Sequence, residues 1–147
     1  PNHKDNQGKL TRKEELSKVV ESSEKIAAIM DELPGGFGKT LKYHMERLDI
    51  NEEELSYRSH ISTQTISKYI NNGSAEKKYQ NVVAIAKALC MNPVFMEDLI
   101  AKAGFQMKYD TVAFFVKFLI WNHPDDSVDE WQQKINDAKI PLQLPSK

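Results

Sequence analysis

The polar side chains of residues 62–68 are the part of the sequence best suited to binding chemistry. A helix of roughly Thr63–Asn71 would bury Ile66, together with either Ile70 or Tyr69. Its outer face would then carry hydroxyls, an amide and one ammonium group but no carboxylate: Thr63, Gln64, Thr65, Ser67 and Lys68. Such a face suits a groove of DNA, because amides and hydroxyls can bond base edges without repelling the phosphates.

A start for this helix and a turn before it are encoded in the same stretch. Ser62 is predicted to be the helix N-cap, because a serine hydroxyl accepts a hydrogen bond from a backbone N–H two or three residues further on. Leu55, Ile61 and Ile66 have the spacing that two short helices crossing at a turn require, and Ser56 is small enough for a close approach. Residues 50–73 therefore predict two short helices joined by a turn.

This segment resembles the helix-turn-helix of the lambda-repressor-like family, which includes phage repressors, Cro and XRE-type regulators. The matching residues are Leu55 and Ser56, Ile61 and Ser62, Thr65 to Ser67, Asn71 to Gly73, and the following run VVAIAKALCMNP. The resemblance covers residues 37–103. It implies a five-helix core, sequence-specific binding to double-stranded DNA in transcriptional regulation, and a left-handed backbone at His60, where the family usually has glycine.

The resemblance also assigns roles to side chains. Thr63, Gln64 and Lys68 are predicted to reach base edges, whereas Ser62 and Thr65 are predicted to lie nearer the phosphates. Phosphate contacts are further predicted for lysines on the first core helix and on the loop after the recognition helix: Lys39, Lys42, Lys77 and Lys78.

An alternative is a protein-interaction module on a repressor-like fold that has lost DNA binding. Glu52 stands where many family members have a glutamine that holds a phosphate, and a carboxylate would repel the DNA backbone. Residues 36–104 contain nine Lys or Arg and eight Asp or Glu, so few phosphate contacts and weak non-specific affinity are expected. The two hypotheses differ in the partner but not in the fold.

The sequence contains no residue pattern that indicates catalysis, metal binding or nucleotide binding. The histidines and the single cysteine form no set at metal-ligand or catalytic spacing, so we expect neither metal nor cofactor, and not an enzyme. Acidic residues 52–54 fit the first turn of a helix, where the helix dipole favours them. The segment Gly36 to Thr40 resembles the end of a phosphate-binding P-loop, but Leu33 occupies the position of its first glycine.

Composition indicates an ordinary globular chain, with 40% hydrophobic residues, 28% charged residues and a net charge of −1. No signal peptide is recognised, and the apolar run of residues 112–121, which Lys117 interrupts, is too short to span a bilayer. No membrane partner is therefore expected. Cys90 has no second cysteine to pair with, which favours a cytoplasmic location, and its place in an apolar pattern predicts a buried small hydrophobe.

The sequence divides into three parts and predicts an all-α fold. Residues 1–35 form a linker followed by an amphipathic helix, residues 36–104 the DNA-binding domain, and residues 105–147 an extension of two helices. Capping boxes start the first and last of these helices, Thr11 with Glu14 and Ser127 with Glu130. The helix from Tyr109 to Asn122 is apolar on most faces, so we expect it to be covered nearly all round.

Spare apolar surface on the flanking helices predicts a homodimer. One recognition helix covers only a few base pairs, and related proteins present two of them to half-sites ~34 Å apart. The alternative is a monomer in which the flanking helices cover one another.

Overall fold

The computed structural model of the chain describes residues 11–105 and 110–147, and within these ranges all regular structure is α-helical. The described residues form eight helices: α1 Arg12–Glu32, α2 Phe37–Leu48, α3 Glu52–Ser59, α4 Thr63–Asn71, α5 Tyr79–Ala88, α6 Pro93–Lys102, α7 Thr111–Asn122 and α8 Val128–Asp137. The predicted all-α class is confirmed. The predicted linker of residues 1–9 and the predicted helix start at Tyr109 lie outside the described residues.

Helix starts coincide with local capping signals. Ser62 Oγ accepts from the backbone N–H of Thr65 at 3.2 Å and so begins α4. Ser127 and Glu130 form a complete capping box at α8, with reciprocal bonds of 3.1 and 3.0 Å. Because these bonds involve residues only three apart, the sequence alone was sufficient to predict both starts.

The N-terminal helix α1 belongs to a compact unit of its own, which ends at Leu33. Thr11 caps it by accepting from the N–H of Glu14. Leu16, Val19 and Val20 form a stripe along α1 and are 58, 60 and 55% exposed. None of the helices in the described part of the chain has both the length and the apolar character that crossing a membrane requires.

Helix α5 is the centre of the second compact unit, residues 34–147. Residues 82–89 are all buried, and α3, α6 and α8 pack against this helix. The buried set includes Lys87, whose ammonium donates to the carbonyl of Pro124 and lies 5.2 Å from the ring centroid of Trp131. Burial lowers the pKa of Lys87. This contact fixes the α7–α8 connection to the core.

A second buried polar residue, His44, lies on α2. Its Nδ1 accepts from Arg47 Nε at 3.3 Å and Nη2 at 3.0 Å, so the proton of the neutral ring is on Nε2. Nε2 has no hydrogen-bond partner among the described residues. Burial, with a smaller contribution from the charge of Arg47, lowers the pKa of His44 to about 4. The side chain is therefore neutral at neutral pH.

The prediction that Cys90 is buried is wrong. The thiol is exposed, because α5 ends at Ala88 and Cys90 follows the helix in a left-handed conformation with φ 52°. Its backbone N–H donates to the carbonyl of Lys87 at 3.0 Å. Leu89 and Met91 on either side remain buried, so the chain reversal directs only Cys90 to solvent.

Within this chain, the described residues cover helix α7 on one side only. Its buried residues are Val116, Leu119 and Ile120. The opposite face carries an aromatic stripe, here defined as Phe114, Phe118 and Trp121, which are 52, 46 and 48% exposed. Trp121 keeps its indole N–H satisfied by donating to Glu97 Oε1 at 2.9 Å.

Helix α2 crosses the end of α4 at Gly38. A Cβ added at Gly38 would lie 2.5 Å from the carbonyl oxygen of Ile70 and 2.8 Å from that of Tyr69. Both contacts are with backbone, so a larger residue requires one helix to move. The glycine thus has a packing role in the segment that resembles the end of a P-loop.

We predict that Gly38→Ala lowers the free energy of unfolding by up to about 2 kcal/mol. Overpacking usually costs about 1–3 kcal/mol, and the better helix propensity of alanine offsets about 1 kcal/mol of that cost. Gly35→Ala is the matched control, since no atom lies within 4 Å of a Cβ at Gly35. Urea denaturation of the three proteins measures the difference, and equal midpoints for the two variants would contradict the packing role.

Candidate nucleic-acid interface

The inner face of α4 is held by aromatic contacts. Ile66 and Tyr69 are its buried residues, so Tyr69 rather than Ile70 takes the second inward position. The Tyr69 ring packs edge-on against Phe37, with centroids 6.1 Å apart. Its hydroxyl accepts from Asn81 Nδ2 at 3.2 Å and from the backbone N–H of Lys78 at 3.3 Å. These bonds join α4 to the start of α5.

The turn between α3 and α4 is tight and internally bonded. His60 ends α3 with φ 63° and ψ 25°, the left-handed conformation that the resemblance implied. Ser56 Oγ donates to the carbonyl of Ile61 at 2.5 Å, and Ser59 Oγ accepts from the N–H of Ile61 at 3.3 Å. Two serines thus bond both backbone groups of a buried residue and fix where α4 begins.

A side-chain contact links this turn to the C-terminal extension. His60 Nε2 lies 3.0 Å from Asp129 Oδ1, in the first turn of α8. The two residues are 69 positions apart in the chain. No local sequence pattern relates the turn to α8, so this contact could not be predicted from the sequence.

The outer face of α4 carries the side chains that were predicted to contact DNA. Ser62, Thr63, Gln64 and Lys68 are exposed, and Thr65 is half-buried. The Ser62 hydroxyl donates to Thr65 Oγ1 at 3.0 Å, so these two side chains bond each other. Among the described residues, the side chains of Thr63, Gln64 and Lys68 make no hydrogen bond or ion pair, which leaves their polar groups open to solvent.

The four lysines predicted to contact phosphate differ in their surroundings. Lys39 and Lys42 on α2 are exposed, as is Lys78 just before α5. The Lys77 ammonium instead donates to the carbonyl of Ala75 at 3.1 Å. It also lies 5.4 Å from the ring centroid of Phe37 and 6.0 Å from that of Tyr69. Lys77 is therefore the member of this set most engaged with the protein itself.

Acidic groups lie close to one of these lysines. A cavity of about 400 Å³ beside α2 and α3 is lined by Lys42, Glu46, Asp49 and Glu52, among others. Glu52 is half-buried, and its Oε1 is buried without a hydrogen-bond partner among the described residues. A phosphate approaching Lys42 would meet this negative charge.

Two residues of α3 were not anticipated as surface features. Tyr57 is 74% exposed. Arg58 donates through Nε to Glu54 Oε1 at 2.8 Å and through Nη1 to the carbonyl of Ala88 at 3.3 Å. The sequence pattern around Tyr57 could have indicated its exposure. Leu55 and Ser59 face inward, so the Tyr57 ring between them faces solvent.

Within the described ranges, no group of three or more His, Cys, Asp or Glu side chains could hold a metal ion. In comparisons with known proteins, the chain matches no family model, no curated protein and no solved structure. A proposed function therefore depends on the side chains of α4, the turn before it and the surrounding charges.

We predict that His60→Gly is more stable than His60→Ala by about 1 kcal/mol, because only glycine adopts the left-handed conformation without a Cβ penalty. Both variants lose the Asp129 contact, so their difference isolates the backbone. Glu53→Gly and Glu53→Ala are the controls, since Glu53 is exposed in the first turn of α3. There the alanine variant should be the more stable one, because alanine has the better helix propensity. Thermal or urea unfolding measures the order, and a more stable alanine at position 60 would argue against the strained turn.

Proposed function

We propose that this chain is a sequence-specific DNA-binding transcriptional regulator of the repressor-like helix-turn-helix type. In this proposal α2–α6 form the five-helix core, and α4 is the recognition helix. The observation that supports it most is the outer face of α4, where Thr63, Gln64 and Lys68 are exposed without acidic neighbours on the same helix. Such a regulator would act in the cytoplasm, on double-stranded DNA.

In this mechanism base reading depends on hydrogen bonds more than on charge. The Gln64 amide suits adenine, whose N6 and N7 it can bond together, with about 1–3 kcal/mol of discrimination. Ser62 and Thr65 lie at the start of α4, where hydroxyls and helix N–H groups favour a phosphate. Lys39, Lys42 and Lys78 add the positive charge that is exposed nearby.

A mobility-shift assay on random duplexes at two salt concentrations tests this function, followed by selection of bound sequences. We expect a shift that weakens with salt, and we expect Gln64→Ala to relax sequence preference more than it lowers total affinity. Lys78→Ala is the contrasting variant, since loss of one phosphate contact weakens binding to all sequences and reduces the salt slope by about one.

Two results would count against this mechanism. A uniform loss across all sequences in Gln64→Ala would show that the amide does not read bases. The absence of any shift at low salt would contradict DNA binding by this chain.

We further propose that the protein acts as a homodimer held through helices outside the core. The aromatic stripe on α7 and the exposed residues Leu16, Val19 and Val20 of α1 are apolar surfaces of the kind that subunit interfaces use. Two copies would present two recognition helices to successive half-sites, which compensates for the modest positive charge of each core.

We predict a dimer in sedimentation at micromolar concentration, and Phe118→Asp should shift it towards monomer because a charge would be buried at the interface. Tyr57→Asp is the matched control, since Tyr57 is an exposed aromatic residue outside the stripe. A monomeric wild-type chain at this concentration would rule out the dimer. It would also argue against specific DNA binding by this chain alone, because one recognition helix covers only a few base pairs.

The second candidate function is a protein-interaction module that does not bind DNA. Two observations favour it, the negative charge of Glu52 beside Lys42 and the large exposed surface of Tyr57 on α3. It predicts no mobility shift at either salt concentration, whereas the DNA-binding proposal predicts one at the lower concentration.

A further inference from the structure

A cavity of about 600 Å³ opens between the α3–α4 turn, the end of α5 and the start of α8. His60 and Ser62 form the wall at the turn, Cys90 lies at the end of α5, and Ser127 lies at the start of α8. We call this space the turn cavity. Its volume falls within the roughly 300–1,000 Å³ usual for small-molecule sites, and its walls come from elements far apart in the chain.

Two cationic side chains and one carboxylate side chain with exposed surface line the turn cavity, namely Arg58, Lys147 and Asp129. Lys87 also lines it, but its ammonium is buried against the carbonyl of Pro124. Asp129 already contacts His60, and the Arg58 guanidinium makes one of its bonds to Glu54. Arg58 and Lys147 therefore supply the positive charge of this concave surface.

The remaining walls are apolar. Ile61, Ala88 and Val128 are buried residues that line the cavity, and the exposed Tyr57 ring lies at the same surface. Lys87 is wholly buried, so its stem adds apolar surface while its ammonium bonds the carbonyl of Pro124. An occupant therefore needs an apolar body as well as a negative group.

We propose that the turn cavity binds a small organic anion with an apolar body, of which an aromatic carboxylate is the simplest representative. The carboxylate would lie towards Arg58 and Lys147, and the ring would contact Ile61, Ala88 and Val128. This inference goes beyond the proposed function, and its test uses the protein without DNA. Ser62, which the DNA-binding proposal places near a phosphate, also lines the cavity.

The single cysteine provides a built-in reporter. Cys90 is the chain's one thiol, it is exposed, and it lines the cavity. A ligand in the cavity should slow its alkylation by iodoacetamide, an uncharged reagent, and intact-mass spectrometry follows the reaction. The probes are phenylacetate, phenylacetamide and phenethylamine, which share an aromatic ring but are negative, neutral and positive.

We expect phenylacetate to protect Cys90 with half-protection at roughly millimolar concentration, the range of a weak fragment. Phenylacetamide should protect less, and phenethylamine should be about tenfold weaker than phenylacetate, which corresponds to about 1.4 kcal/mol. Protection that is absent with phenylacetate, or equal with phenylacetate and phenethylamine, would overturn the proposal.

Charge reversal at the cavity provides the second test. Lys147→Glu should weaken protection by phenylacetate about tenfold, since it replaces attraction by repulsion near the carboxylate. Lys139→Glu makes the same change in net charge at an exposed lysine that does not line the cavity, and it should leave protection unchanged. Circular dichroism checks that both variants remain folded. An equal effect of the two substitutions would show that the cavity does not select the anion.

Discussion

Every residue from position 82 to position 89, in α5 and at its C-cap, is buried. This constraint determines where the helices around α5 lie in the second unit. A helix buried on every side has to be enclosed, and α3, α6 and α8 supply the enclosure. Burial extends to Lys87, whose charge is accommodated because the carbonyl of Pro124 accepts from it. The α3–α4 turn follows from the same arrangement, since α3 packs on α5 while Asp129 of α8 reaches His60.

Small side chains, rather than charges, determine the position of α4 in the fold. Gly38 lets α2 approach the last carbonyls of α4, while Ser56 and Ser59 bond the backbone of Ile61. Of the lysines predicted to contact phosphate, Lys77 bonds the protein itself, through the carbonyl of Ala75. The outer face of α4 carries hydroxyls, an amide and only one ammonium group, that of Lys68, so it is more polar than positive. On such a surface, hydrogen-bond geometry would contribute more to selectivity than electrostatic attraction would.

Features set by neighbouring residues could be predicted from the sequence, and features set by distant contacts could not. Ser62, Ser127 and Glu130 fixed helix starts because capping bonds span three residues. Cys90 was mispredicted because apolar periodicity continues through Leu89 and Met91 although the helix has ended. The turn cavity could not be predicted from the sequence, because its walls come from separate helices. The exposed side chains of α4 could be named from the sequence. The position of the Lys77 ammonium could not, because it depends on how Phe37 and Tyr69 pack.

The buried imidazole of His44 makes folding a proton-releasing reaction in mild acid. Its pKa is lowered from 6.5 to about 4, so between these values the unfolded chain holds a proton that the folded chain does not. Stability from this residue is complete above pH 6.5 and is lost as the pH falls towards 4, by about 3 kcal/mol in all. Within that window the buffer takes up the released proton. The heat of folding therefore depends on the ionisation enthalpy of the buffer.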